Sequence, residues 1–200
     1  MSVAVPEPII TSSPEEAGLV GPGPHRALFL DRDGVINVNH GYVHMPEQTD
    51  WVPGIFELAR SARQAGYLLV VATNQAGIAR GYYTVDQFER YTHWVHDRFV
   101  AEGAPLLATY YCPHHPEAGV GGLRVQCSCR KPGPGMLLRA IRELDLDPAA
   151  SLFVGDARSD AEAGFRAGIG MNVLVGNNDS SYLERTVVVA SLTDVGRLLV

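Results

Sequence analysis

Residues 28–34 read Leu28-Phe29-Leu30-Asp31-Arg32-Asp33-Gly34, an apolar run that ends in two aspartates one residue apart. A short stretch of this kind reads as a strand buried in a parallel sheet. Ligands of open α/β sheets sit at the carboxyl ends of the strands. Asp31 and Asp33 are therefore expected at the ligand edge, with Gly34 letting the chain turn sharply away. Carboxylates so close together repel unless a cation or a proton relieves them. The stretch thus implies a metal ion, a protonated acid, or both.

Outward from this point, strand and helix patterns alternate. Ala27–Asp31 is the first predicted strand. Pro53–Ala65 is a predicted helix, with Ile55, Leu58, Ala59 and Ala62 at helical spacing, Pro53 in its first turn and Gly66 at its end. Tyr67–Thr73 is a second buried strand. Thr84–Glu102 is a long amphipathic helix, capped by Thr84 with Gln87 three residues later; Phe88, Tyr91, Val95 and Phe99 form its core stripe. Then follow strand Leu106–Tyr111, helix Gly135–Leu144, strand Leu152–Gly155, helix Ser159–Ala167 and strand Met171–Val175. Thr186–Ala190 and Leu192–Leu199 read as a closing strand and helix. Alternating β and α elements predict an α/β fold, a doubly wound, Rossmann-like parallel sheet with helices on both faces.

Two stretches break the alternation, Arg32–Val52 and Cys112–Pro134. Loops this long in one domain are usually functional, and neither is large enough for a separate cap domain. Residues 1–24 are rich in Pro, Ser and Glu and read as a poorly ordered tail; residues 25–200 read as a single domain. His93 and His96 are expected on the helix surface, Trp51 and Trp94 in packing, and Arg32 as a solvated or structural side chain.

The chain has 200 residues, of which 46% are hydrophobic and 19% charged, enough for a sizeable core. Its formal net charge of −6 argues against a nucleic-acid partner. No apolar run approaches the ~20 residues that span a bilayer, and no secretory signal is evident. The expectation is a cytoplasmic protein, monomeric or weakly self-associating, with no membrane partner.

Further polar groups follow the logic of Asp31. Thr73-Asn74-Gln75 ends the second strand, Arg130-Lys131-Pro132 precedes a helix, and Gly155-Asp156 ends a strand with Asp160 shortly after. In a doubly wound sheet these points converge on one crevice. The set holds a carboxylate able to act as nucleophile, a second acid, a hydroxyl, a lysine and carboxylates able to bind a cation. That inventory fits phosphoryl transfer. An anionic phosphate and an anionic carboxylate repel by about 4 kcal/mol at ~4 Å and an effective dielectric of ~20. A Mg2+ ion held by Asp31 and Asp156 turns that repulsion into shared attraction, and Lys131 and the Thr73 hydroxyl take the remaining phosphoryl oxygens.

The three cysteines form a second constellation. Cys112-Pro-His114 and Cys127-Ser-Cys129 are two short pairs of soft or borderline ligands, and Cys3His is a common closed zinc site. His115 is the rival of His114. A zinc ion here would staple the glycine-rich loop over the site and aim Arg130, the next residue. His40 and His44, in the first long loop, are open to either a binding or a plain loop reading.

The segments Asp31-Arg-Asp-Gly-Val, Ala72-Thr-Asn-Gln, Arg130-Lys-Pro and Gly155-Asp-Ala-Arg-Ser-Asp resemble, in order, the motifs of haloacid dehalogenase superfamily phosphatases. Longer segments, among them His40-Gly-Tyr-Val-His, Thr73-Asn-Gln-Ala-Gly-Ile-Ala-Arg-Gly, Tyr110-Tyr-Cys-Pro-His-His-Pro and Cys127-Ser-Cys-Arg-Lys-Pro-Gly-Pro-Gly, are similar to the D-glycero-D-manno-heptose 1,7-bisphosphate 7-phosphatases. The histidinol-phosphate phosphatases share much of this pattern. The matches span most of residues 26–175.

The resemblance implies a Mg2+-dependent phosphatase of a small phosphorylated sugar. Asp31 would attack phosphorus and Asp33 would act as acid and then base. The Asp31 and Asp156 carboxylates and the Asp33 carbonyl would hold Mg2+. Thr73 and Lys131 would stabilise the moving phosphoryl group, and Arg130 would read the far end of the substrate. Asn39, His40, Gly41 and Tyr42, with Asn74, Gln75 and Ala76, would line the sugar site. Cys112, His114, Cys127 and Cys129 would hold Zn2+. The pattern departs at Ala157, where the heptose enzymes carry a lysine, and Arg158 is the neighbouring candidate to replace it. A non-enzymatic phosphoryl-binding domain on this fold would typically lack the nucleophile, the acid or the lysine, and all three are present.

Overall fold

The structure is a computed structural model and describes residues 6–10, 12, 21–176 and 183–199. In chain order the elements are β1 (Ile9–Ile10), β2 (Ala27–Leu30), α1 (Ile55–Gln64), β3 (Leu68–Asn74), α2 (Ala76–Ala79), α3 (Val85–Ala101), β4 (Ala108–Cys112), α4 (Gly135–Glu143), β5 (Leu152–Gly155), α5 (Arg158–Ala167), β6 (Met171–Val175), β7 (Thr186–Val189) and α6 (Leu192–Gly196). The strands form one sheet in the order β1-β4-β3-β2-β5-β6-β7. All neighbours are parallel except β1, which runs antiparallel to β4.

The run that opens the sequence argument lies at the middle of this sheet. Phe29 pairs with Val70 of β3 and with Phe153 of β5, and every residue of β2 is buried. Successive side chains leave a strand on opposite faces, so β2 feeds two cores. Leu28 and Leu30 pack with Ile55 and Leu58 of α1, Tyr91, Val95 and Phe99 of α3, and Leu192 of α6. Ala27 and Phe29 pack on the other side with Met136 and Leu137 of α4 and Ala163 of α5. This two-sided burial is why the strand carries no polar alternation.

The Thr84 cap forms as expected: its hydroxyl accepts from the Gln87 backbone while the Gln87 side chain accepts from the Thr84 backbone. Trp51 and Trp94 stack at 5.5 Å. Three features depart from the sequence reading. Within the segment read as a tail, Ile9 and Ile10 pair with Thr109 and Ala108 on the β4 edge, and Ile9 packs beside Ile78, Tyr83, Phe88 and Tyr111. The single turn of α2 was too short to leave a periodicity. His96, expected on the surface, is 1% exposed and hydrogen-bonds to the Thr109 hydroxyl at 2.8 Å. It continues the stripe of Phe88, Thr92, Val95 and Phe99 that faces the sheet, and one hydroxyl on β4 makes its burial tolerable. His93 is exposed, as expected.

Burial, with His93 nearby, pushes the His96 imidazole down from 6.5 to about 3. The unfolded chain therefore binds a proton that the fold refuses, and stability falls as pH drops from about 6.5 towards 3. Denaturant titrations at pH 7 and pH 5 are expected to show a loss on the order of 1–2 kcal/mol from this group. His96→Leu should shrink that pH dependence; an unchanged dependence would contradict the assignment.

Candidate active site

The chain leaves β2 towards β3 and β4, then returns to the other side of β2 as β5. Strand ends diverge at such a switch point and leave a crevice. Asp31 follows β2, Thr73 and Asn74 close β3, Asp156 follows β5, and Lys131 enters from the loop after β4. These side chains line one cleft of ≈ 420 Å³ with Asp33, Asn39, Gly41, Tyr42, Gln75, Ala76, Asp160, Tyr83, Ala157 and Ser159. Gly34, at φ +93°, makes the approach of the two acidic ends possible: a Cβ there would fall 2.0 Å from Asp156 Oδ2.

Lys131 is the centre of the cleft floor. Its Nζ lies 2.8 Å from Asp31 Oδ1 and 2.7 Å from Asp160 Oδ1, and donates to the Ala72 carbonyl at 2.9 Å. The ammonium is buried. Burial opposes its charge, but Asp160 and Asp31 together hold it above its ordinary value. Its backbone is clamped by Asn74, which accepts from the Lys131 N–H at 3.0 Å and donates to the Lys131 carbonyl at 3.1 Å. Asp160 also accepts from the Ala157 N–H at 3.0 Å, so it both caps α5 and pairs the lysine.

One lysine does not neutralise the carboxylates around it. Asp31, Asp156 and Asp160 each place an oxygen within 4.8 Å of the others. Burial pushes Asp31 up to about 7, with Lys131 opposing and Asp160 adding to the rise. Burial and Asp160 push Asp156 up to about 6. Crowded, partly desolvated carboxylates of this kind are the donor set of a hard cation, and the residues fit Mg2+.

Asp33 is held differently, by hydrogen-bond donors. Arg32 Nη2 reaches both its oxygens at 3.0 and 2.8 Å, Asn37 Nδ2 donates to Oδ1 at 3.0 Å, and Gln75 Nε2 to Oδ2 at 3.2 Å. Gln75 also donates to the Thr73 hydroxyl at 2.8 Å and accepts from the Tyr83 hydroxyl at 2.6 Å.

The second constellation closes as a tetrahedron. Cys112, Cys127 and Cys129 Sγ atoms lie 3.2–3.5 Å apart, and His114 Nδ1 is 3.7 Å from Cys112 and 3.4 Å from Cys129. Ligands at ~2.3 Å from a tetrahedral zinc are separated by about 3.7 Å, so the four residues fit Zn2+. The cysteines are free rather than disulfide-bonded. His115 takes another part, accepting from the Glu117 and Ala118 N–H groups at 3.1 and 3.0 Å and turning the loop.

Three sequence-selected residues fall outside the cleft lining. His40 pairs with Asp50 at 2.7 Å and lines a neighbouring surface pocket. Arg130 donates to the His114 carbonyl at 3.2 Å, tying it to the sulfur cluster. Arg158 turns to Glu162 at 2.8 Å and is not among the residues that line the cleft. Tyr83, Asn37 and the seating of Arg32 escaped the sequence reading. Strand alternation beyond Asp31 was the one available signal, since it sends the Arg32 side chain to the face opposite Asp31.

A buried lysine bridging two carboxylates, beside further acids at the switch point of a doubly wound sheet, defines a phosphoryl-transfer site of the haloacid dehalogenase type. A family model described as HAD-hydrolase-like matches residues 128–195, the segment carrying Lys131, Asp156 and Asp160. The chain is 52% identical over 157 residues to the D-glycero-alpha-D-manno-heptose-1,7-bisphosphate 7-phosphatase of Burkholderia mallei, covering 78% of this chain and 83% of that one. It is 48% identical over 149 residues to the D-glycero-beta-D-manno-heptose-1,7-bisphosphate 7-phosphatase of Escherichia coli, covering 74% and 78%. Among solved structures, D,D-heptose 1,7-bisphosphate phosphatase from B. bronchiseptica, complexed with magnesium and phosphate, superposes with a TM-score of 0.75 at 31% identity, covering 87% of this chain and 97% of that one. The chain belongs to the heptose-1,7-bisphosphate 7-phosphatase family of HAD-like hydrolases.

Two measurements test the metal sites. The purified protein is expected to carry about one zinc per chain, and Cys129→Ser to lose it; full zinc content in that variant would remove the cluster assignment. Asp31 and Asp156 sit above their ordinary 3.8, so the metal-free fold loses stability as pH rises from about 4 to about 7. Mg2+ binds the ionised forms, so the rise in Tm that it produces should grow between pH 5 and pH 8. A pH-independent rise would place the ion elsewhere.

Proposed function

We propose that this protein is a Mg2+-dependent phosphatase that removes the 7-phosphate of D-glycero-D-manno-heptose 1,7-bisphosphate through an aspartyl-phosphate intermediate. The observation that carries the reading is the buried Lys131 shared by Asp31 and Asp160, with Asp156 beside it. Family membership supports the substrate.

The roles follow from position. An Asp31 carboxylate oxygen attacks phosphorus, and the bond to the sugar oxygen breaks with its electron pair. Asp33 gives its proton to that oxygen. The Asp33 carboxylate then takes a proton from water as the water oxygen attacks the aspartyl-phosphate. Phosphate leaves, and Asp31 returns as a carboxylate. Lys131 and the Thr73 hydroxyl stabilise the moving phosphoryl oxygens, and Asn74 fixes Lys131. Asp31 and Asp156, with the Asp33 carbonyl, would hold Mg2+, which supplies charge neutralisation between phosphate and nucleophile. Asn39, Gly41, Tyr42, Gln75 and Ala76, which line the cleft, receive the sugar, and Arg130 reads its far end once released from the His114 carbonyl. Zn2+ on Cys112, His114, Cys127 and Cys129 holds the loop that delivers Lys131.

Residues 25–200 are read as one phosphatase domain and residues 1–24 as a tail, of which Ile9 and Ile10 pair with β4 while residues 1–5, 11 and 13–20 lie outside the described residues. The protein is taken to act in the cytoplasm as a monomer or weak homo-oligomer, without nucleic-acid or membrane partners. The net charge of −6 speaks against a nucleic-acid partner, and no helix among the described residues is long and apolar enough to cross a membrane.

A second reading, histidinol-phosphate phosphatase, is favoured by one observation: Ala157 lines the cleft while Arg158 is engaged with Glu162, which leaves fewer cations for a second phosphate. Phosphate release from both anomers of heptose 1,7-bisphosphate and from histidinol phosphate separates the two. A kcat/KM advantage of about 100-fold for the heptose, ~2.7 kcal/mol in the transition state, is expected; a preference for histidinol phosphate would overturn the substrate assignment. Asp31→Asn is expected to abolish turnover with fold and zinc intact, and substantial activity in it would exclude the covalent route.

A further inference from the structure

Arg32 has no part in the scheme above, yet it is one of the few charged side chains withdrawn from solvent, at 3% exposure. It stands between Asp31 and Asp33 in the chain and turns towards α3. Its guanidinium carbon lies 5.7 Å from the Phe88 ring centroid and 5.2 Å from that of Tyr91. Its Nη2 donates to both Asp33 oxygens and to the Val43 carbonyl at 2.7 Å, and the Tyr83 hydroxyl lies beside the guanidinium. Nε and Nη1 are buried and meet no acceptor among the described residues. A guanidinium placed only to knit the core would spread its donors over several acceptors. This one leaves two unused and commits the third nitrogen to one carboxylate and one loop.

Two other donors complete the hold on Asp33. Asn37 and Gln75 are both buried, and Gln75 is itself oriented by the Tyr83 hydroxyl. The acid is thus presented to the cleft from a rigid frame contributed by the strand end, the first loop and the segment after β3.

We propose that Arg32 is a positioning residue for Asp33: packed against Phe88 and Tyr91, it fixes the carboxyl group in the orientation that delivers a proton to the leaving oxygen. This rests on the reading of Asp33 as the acid. A poor leaving group needs that proton and a good one does not, so the loss on perturbing Arg32 depends on the leaving group.

Phenyl phosphate and p-nitrophenyl phosphate are similar in size and differ in the acidity of the departing phenol. With Mg2+ and zinc-loaded protein, kcat/KM reports the steps through leaving-group departure. Arg32→Met is expected to lose about 10–100-fold on phenyl phosphate and less than about threefold on p-nitrophenyl phosphate. Arg32→Lys, which keeps a cation in the same place, should show the same selectivity in smaller degree and serves if Arg32→Met does not fold. Asp33→Asn is the reference. Equal losses on both substrates in the Arg32 variants, with Asp33→Asn selective, would overturn the Arg32 assignment alone. Equal losses in Asp33→Asn as well would show that Asp33 is not the acid, and the inference would fall with it.

Discussion

The site depends on one ion-pair arrangement, the Lys131 ammonium held between Asp31 and Asp160. An unpaired buried charge costs several kcal/mol, whereas one with full hydrogen-bond partners is tolerated. Lys131 Nζ has two carboxylate oxygens and one carbonyl oxygen at 2.7–2.9 Å, and they come from the end of β2, the body of β3 and the first turn of α5. The lysine therefore locks together the three segments whose convergence makes the cleft. Asp160 serves twice, since the same carboxylate caps α5 and pairs the lysine. Gly34 and Gly155 are the small residues that let the acidic segments close in, each standing where a Cβ would collide with Asp156 or Asp160.

The sulfur cluster supports this centre rather than sharing in it. Cys129 lies two residues before Lys131, and Arg130 between them is bonded to the carbonyl of His114. A loop with this much glycine has little packing of its own, and a closed four-ligand metal site supplies the missing constraint. The division is between a soft-ligand centre that shapes the loop and a hard-ligand centre that meets the phosphate.

Most of the architecture was legible in the sequence because the β and α periods are strong here. The continuous apolar runs at Leu28–Leu30 and Leu68–Val71 admit few alternatives to buried parallel strands, and the Thr84–Gln87 cap marked the start of α3 to the residue. The polar residues at the strand ends were legible for the same reason, since topology sends them to one crevice. What stayed hidden depends on tertiary contacts. His96 reads as an ordinary polar residue of a helix until Thr109 is known to face it. The Ile9–Ile10 strand is too short to leave a pattern and forms because the β4 edge offers unpaired backbone groups. Tyr83 and Asn37 carry no motif, and their roles come only from where Gln75 and Asp33 lie. The seating of Arg130 and Arg158 on His114 and Glu162 likewise follows from neighbours that the linear sequence does not reveal.

If the shared lysine organises the site, then removing its charge should disable chemistry while leaving the zinc loop in place. The most direct measurement is kcat/KM of Lys131→Met at saturating Mg2+, with zinc content determined on the same sample. The account requires a loss of at least about 100-fold, the scale set by losing a preorganised transition-state donor, in protein that keeps its zinc. Turnover within about threefold of the original chain, which would mean little transition-state stabilisation was removed, would contradict it.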